Sequence, residues 1–281
     1  MKIVMTLLVR DEQDILRENI EFHLAHGVDE IVLMDNLSVD GTAEIAREYE
    51  RAGCLHYLFQ PRDDYSQARW VTAMARWAAR ELRADWVINS DVDEFWLPER
   101  RSLQDVFASV DPRVIAVGAP RMNFVARADD GRPFWRRMDV RRVTSRNVMG
   151  QPLLGKVAHR ARADVEVVQG NHGVTIGGAI IPQLRGPITI LHFPVRSRKQ
   201  YLNKIVNGGS AYARNTELPA SVGETWRYLY QLHLAGRFEE AIATELFSED
   251  RILEGLATGA LVRDDRLIAA LTARVSERLT A

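Results

Sequence analysis

The sequence predicts an α/β protein built on a mostly parallel, doubly wound sheet, followed by a helical C-terminal subdomain. Three observations predict it. Short apolar runs alternate with amphipathic stretches through the first third of the chain, each apolar run stops at a polar or acidic cluster, and from Ser197 onward the pattern turns helical. Runs without polar alternation belong to strands covered on both faces, as a parallel sheet with right-handed crossovers requires.

Residues 2–9 read as a central first strand. A looser helical pattern over 11–26, apolar at Ile15, Ile20, Phe22 and Leu24, closes at Gly27. Residues 29–34 make a second strand ending in the loop 35–42, whose Asp, Asn, Ser, Gly and Thr are turn-making and capping residues. A helix over 42–52 stops at Gly53, 54–59 is a third strand, 65–82 is a long helix, and 85–90 returns to the sheet. A helix over 103–107 and a strand over 114–117 follow. Residues 121–162 are less regular, rich in arginine, with a turn at Asp129-Asp130-Gly131, and are expected to form antiparallel structure over one side of a cleft. A strand over 188–193 carries His192, and helices are expected over 197–212, 224–246 and 264–279 with a linker at 217–223. The domain reading is therefore a catalytic or binding domain over 1–196 and a helical subdomain over 197–281.

Composition narrows the function classes. A chain of 281 residues buries a full core, and its apolar and charged fractions, 46% and 27%, are those of a globular protein. A net charge of −1 predicts no general attraction to nucleic acid or to an anionic membrane. Cys54 is the only cysteine, which excludes an intrachain disulfide and a multi-cysteine zinc site. No run approaches the about eighteen apolar residues of a membrane span, and the first residues lack a signal-peptide cleavage region, so a cytoplasmic protein without a transmembrane segment is expected.

The chemistry concentrates in residues 86–96, Trp-Val-Ile-Asn-Ser-Asp-Val-Asp-Glu-Phe-Trp. An apolar strand ends here at Asp91, Asp93 and Glu94, and acids at the tip of a buried strand must be solvated, paired or metal-bound. Asp-x-Asp at such an edge aims two oxygen ligands at one hard cation, Mg²⁺ or Mn²⁺; a solvated acidic turn is the bland alternative. Ligands of doubly wound sheets bind beyond the carboxyl ends of the strands. Arg10, Asp35 and Asp91 each lie at such an end, so all three are expected to rim one cleft.

Taken together, the VRDE that follows the first strand, GVDEIVLMDNLSVDGT, and ADWVINSDVDEFW resemble family 2-type glycosyltransferases, and most nearly a bacterial glycosyltransferase 2-like subgroup similar to the family 92 enzymes. The resemblance covers residues 1–100 well and returns more faintly at 156–172 and 191–200. It implies a GT-A fold and transfer of a sugar from a nucleoside diphosphate, UDP- or dTDP-linked, to a small-molecule or glycan acceptor. It further implies that Asp35 and Asn36, with Arg10 nearby, hold base and ribose. Asp91 and Asp93 would bind the Mn²⁺ or Mg²⁺ that bridges the phosphates, and His192 would be a third ligand, where the residues alone read as a hydrogen-bonded core histidine. Arg196, with Ser197 and Gln200, would face the donor phosphates. Lys156 and Lys199 read as cationic helpers or as surface lysines, and Arg62, Tyr65, Gln67 and Arg69 as donor contacts or as a polar loop and helix cap.

Inversion, also implied by the resemblance, needs a general base. The Glu-Asp pair that supplies it in many relatives has no counterpart at the corresponding distance, since Glu249-Asp250 lies too late. Glu94, Asp164 and His172 are the candidates, with Glu94 alternatively orienting a metal ligand from behind. Trp96, Phe124, Phe134 and Trp135 are read as local packing or as apolar faces for an acceptor. The stripe Trp226, Tyr228, Leu229, Leu232 and Leu234 is a packing face, with a homodimer contact as its other use. Two other functions compete: a nucleotidyltransferase making activated sugars, which needs a Gly-rich loop where this chain has Arg10-Asp11-Glu12-Gln13, and a catalytically inactive nucleotide-sugar-binding protein. No P-loop motif occurs.

Overall fold

The computed structural model describes residues 1–219 and 221–280, with side chains as far as residue 273. The chain divides into two compact units, one of residues 1–121 and 154–190, the other of residues 122–153 and 191–281. The boundary expected at residue 196 falls inside the second unit.

In the first unit the elements run β1 (Ile3–Val9), α1 (Leu16–Ala25), β2 (Glu30–Asp35), α2 (Thr42–Arg51), β3 (Leu55–Phe59), α3 (Gln67–Arg80), β4 (Trp86–Asp91), β5 (Glu94–Pro98), α4 (Leu103–Ala108) and β6 (Ala116–Ala119). Seven strands form the main sheet: the strand Gln183–Arg185, then β6, the strand Lys156–Arg160, β4, β1, β2 and β3. The strands β4, β1, β2 and β3 are parallel, and Lys156–Arg160 enters antiparallel between β4 and β6. The doubly wound, mostly parallel architecture is thus present. The antiparallel segment read in the sequence as a cover over the cleft is in part a central strand of the sheet, because its pairing partners lie far away in sequence.

β1 is apolar but for Thr6 and almost wholly buried, since helices cover both faces. The buried residues of α3 are Gln67, Trp70, Val71, Met74, Ala75 and Ala78, an i, i+3, i+4, i+7 series that makes one stripe. That stripe packs in one cluster with Val4, Val32, Met34 and Val87 of the sheet. Burying each of Trp70, Val71 and Met74 contributes roughly 2 kcal/mol, so a charge at Val71 would unseat the helix. Gly27 and Gly53, at φ +98° and +78°, end α1 and α2 in the left-handed conformation that glycine takes without steric cost.

In the second unit the strand Val140–Arg142 pairs antiparallel with Leu261–Arg263 over a core of Val125, Val140, Phe247, Ile252 and Leu261. The single helix expected over 224–246 is two, Glu224–Leu234 and Phe238–Glu245. Gly236 adopts φ +71° and the Arg237 N–H donates to Leu232 O, a Schellman-type stop. A further helix, Glu249–Ala257, starts at Ser248, whose side chain accepts from the Arg251 N–H. Leu229 and Leu232 of the apolar stripe are buried, while Tyr228 and Leu234 are exposed. Phe124, Phe134 and Trp135 are buried, the first two packed on Phe193, so they are core and offer no face to an acceptor. In the first unit Trp96 is likewise fully buried.

Candidate functional site

The parallel register sets the geometry of the site. Asp91, the last residue of β4, lies opposite Leu8, and Asp35, the last residue of β2, lies opposite Val9. The two acids are therefore level at the carboxyl edge, two strand spacings or roughly 10 Å apart. Laterally paired residues share a face and successive residues alternate. Asp91 accordingly opens on the α3 face and Asp35 on the face of α2. The single cleft expected for both is, in this register, one edge with two faces.

At Asp91 the chain turns back through Val92 and Asp93 into β5. Asp93 and Glu94 are buried, and Asp91 is about one-third exposed at 34%. Lys156 Nζ lies 2.5 Å from Asp91 Oδ2, 3.4 Å from Glu94 Oε1, and donates to Gly170 O at 2.8 Å. Arg121 Nη1 lies 3.4 Å from Glu94 Oε1. The other oxygen of Asp91 accepts from Gln67 Nε2 at 3.3 Å and from Asn171 Nδ2 at 3.2 Å. Burial pushes the Glu94 carboxyl well above the ordinary carboxylate range, Lys156 pulls it back, and Asp91 adds to the rise. Lys156 is thus shared by Asp91 and Glu94, and Arg121 faces Glu94 alone.

The loop that closes over this cluster supplied a residue the sequence reading passed over. Asn171 is buried at φ +61°; its Nδ2 donates to Asp91, and among the described residues its buried Oδ1 has no hydrogen-bond partner. Among the described residues five non-glycines adopt positive φ, and four of them, Asp11, Leu37, Tyr65 and Asn171, sit in the loops at this edge of the sheet. Strain of about 1 kcal/mol or more per residue concentrates where ligands bind in such folds. His172 donates from Nδ1 to Gly155 O at 2.8 Å, and burial, aided by the charge of Lys156, lowers its pKa to about 4. It is neutral at pH 7, able to accept a proton but weakly basic.

The loop after β2 is knitted by its own polar side chains. Asp35 Oδ1 accepts the Ser38 N–H at 2.9 Å and Oδ2 accepts the Tyr57 hydroxyl at 2.8 Å. Asn36 Nδ2 donates to Gln60 O and Arg62 O, tying this loop to the one after β3. Ser38 Oγ accepts from Asp11 N, Thr42 Oγ1 from Glu12 N, and Asp40 Oδ2 from Gln13 N, so the loop after β1 is clipped on as well. At Gly41 a Cβ would stand 2.8 Å from Gln13 Oε1, which already accepts the Gly41 N–H. Arg10 pairs with Asp63 at 2.6 Å, and exposed Arg62 pairs with Asp64. Asp164 is exposed and paired with Arg162.

In the second unit His192 is buried, its Nδ1 2.6 Å from Asn123 Oδ1. A carbonyl oxygen only accepts, so the ring proton sits on Nδ1 and the lone pair on Nε2, the tautomer a metal ligand needs. Arg196 is fully buried and donates to Phe193 O at 3.1 Å. Ser197 and Gln200 act as a helix cap: Ser197 Oγ accepts the Gln200 N–H and Gln200 Oε1 accepts the Arg196 N–H. Lys199 is exposed. Glu249 pairs with Arg127.

The family model for glycosyl transferase family 2 matches residues 4–164. Among proteins of curated function none matches. The fold is similar to residues 1–349 of S. aureus TarS in complex with UDP, at 13% identity over 84% of this chain and 72% of that one, with a TM-score of 0.41. The same protein in complex with UDP-GlcNAc overlaps at 10% identity, 84% and 73% coverage and a TM-score of 0.43. Glucosyl-3-phosphoglycerate synthase from Mycobacterium tuberculosis, in complex with Mn²⁺, UDP and phosphoglyceric acid, overlaps at 17% identity, 57% and 56% coverage and a TM-score of 0.32.

Proposed function

Since the chain belongs to glycosyl transferase family 2, we propose that it moves a sugar from a UDP- or dTDP-linked donor to an acceptor hydroxyl, with inversion and with Mn²⁺ or Mg²⁺ bound. The observation that carries this reading is the carboxylate turn Asp91–Glu94 at the edge of the parallel sheet, level with Asp35.

The donor set suits a hard divalent cation. Its oxygens come from carboxylates, the hard ligands such an ion prefers, with Lys156 and Arg121 holding Asp91 and Glu94 in place beside Asp93. Asp91 and Asp93 would hold the ion. When bound, the ion supplies charge stabilisation at the oxygen of the departing diphosphate.

The chain's own residues prepare that chemistry. Lys156 fixes Asp91 and Glu94 in place, so the carboxylates need no reorganisation during reaction. The knitted loop at Asp35 and Asn36, with Arg10, offers a rigid seat for base and ribose. Gln67 and Arg62 are donor contacts on the same unit. Proton removal from the acceptor falls to His172 or Glu94.

Isothermal titration of UDP and dTDP donors with and without Mn²⁺ tests the reading. Donor turnover lost in Asp93→Ala, with the circular dichroism spectrum kept, is the expected result. Failure of every nucleotide and nucleotide sugar to bind would sink it.

A further inference from the structure

Asp93 stands between the backbone carbonyls of Val92 and Glu94, and one fully buried side chain from α1 holds both. Asn19 Nδ2 donates to Val92 O at 2.7 Å and to Glu94 O at 2.9 Å. A primary amide has two protons to give, and both are spent on this turn.

His23, one helical turn along α1, sets which way that amide faces. The Trp96 N–H donates to His23 Nε2 at 3.0 Å, so the ring proton is assigned to Nδ1. Nδ1 lies 2.8 Å from Asn19 O and 3.1 Å from Asn19 Oδ1. Its proton draws the amide oxygen toward the ring and leaves the nitrogen facing the turn. Trp96 closes the circuit from the other side: its Nε1–H donates to Ser90 Oγ at 2.9 Å, and that hydroxyl donates to Asp91 O at 3.0 Å. Asn19, His23, Ser90 and Trp96 are all buried away from solvent.

We propose that Asn19, oriented by His23, is a positioning residue for Asp93. It pins the peptide group that precedes Asp93 and the one that follows Glu94, which fixes the turn carrying Asp93, so the carboxylate keeps one direction when a divalent cation and a diphosphate bind. The proposal rests on the reading of the site given above. Groups that orient metal ligands from behind typically change metal affinity about 10–100-fold when removed.

Isothermal titration of UDP, with and without Mn²⁺, on the full chain and on Asn19→Ala and Asn19→Asp decides the matter. UDP binding without metal is expected to stay at the wild-type level, while the gain in affinity that Mn²⁺ gives falls about tenfold or more. Asn19→Asp keeps the side-chain volume but replaces the two-proton nitrogen by oxygen, so it carries the test if Asn19→Ala does not fold. Either variant, folded and retaining the full Mn²⁺ gain, overturns the proposal. So does an equal loss of metal-free UDP binding, which marks a general collapse of the site. A wild-type protein that gains nothing from Mn²⁺ removes the metal reading and this proposal together. A variant that gains as much as a responsive wild type removes this proposal alone.

Discussion

Lys156 reaches Asp91 across 65 residues of sequence and places its ammonium 2.5 Å from Oδ2. The lysine is almost wholly buried, and Glu94, fully buried, shares it at 3.4 Å. Removing one partner of a buried ion pair strands the other's charge. Lys156→Met is therefore expected to lower stability by about 3 kcal/mol in urea unfolding. Lys156→Arg does not restore it, since a planar guanidinium does not fit the small space bounded by Gly170 O and two carboxylates. An unchanged unfolding midpoint in Lys156→Met would show that the carboxylates are held by something else.

Asp93→Asn keeps shape and removes one charge from the cluster. If Asp93 is a metal ligand, the affinity for Mn²⁺ in the presence of UDP drops about tenfold or more, and transfer falls by about a hundredfold. Wild-type Mn²⁺ saturation in this variant would assign Asp93 to structure.

Tyr57 donates to one oxygen of Asp35 at the opposite face of the same edge. Burial first, and the bond to Asp35 second, push its phenol up to about 12, so it donates at any working pH. Tyr57→Phe is expected to cost about 1 kcal/mol of stability and to weaken metal-free UDP binding, leaving the Mn²⁺ gain intact. That pattern is the reverse of the one expected for Asn19→Ala. Loss of the Mn²⁺ gain in Tyr57→Phe would contradict the division of the edge into a nucleoside side and a metal side.

What the sequence shows of this site depends on range. The strands β1, β2 and β4 announce themselves by apolar runs that stop at polar or acidic residues, and Asp35 and Asp91 follow because a strand's tip is a local feature. Asn19, Arg121 and Asn171 were invisible, since a lone polar residue in a helix or loop shows its purpose only when a distant carboxylate or carbonyl is brought to it. The strand Lys156–Arg160 was missed for the same reason, as its β4 partners lie some seventy residues upstream in pairing terms that no periodicity encodes. The break at Gly236 and the start at Ser248 were local signals and could have been read.

The last prediction concerns pH and the two buried histidines of the first unit. Burial lowers His23 to about 3 and His159 to about 4, from an ordinary value near 6.5. Both are neutral in the fold at pH 5, whereas in the unfolded chain they are protonated there. The unfolded state then binds more protons, so stability falls as pH drops below about 6.5 and is flat above it with respect to these groups. Each contributes a loss of about 2 kcal/mol at pH 5, from 1.5 pH steps at about 1.4 kcal/mol each. The loss continues until pH nears the folded values. His23→Gln, which can accept from the Trp96 N–H and donate to Asn19, and His159→Gln should each remove one such increment from the slope between pH 6.5 and 4. Urea unfolding across that range measures it directly, and a slope unchanged in both variants would show that these rings are not buried neutral.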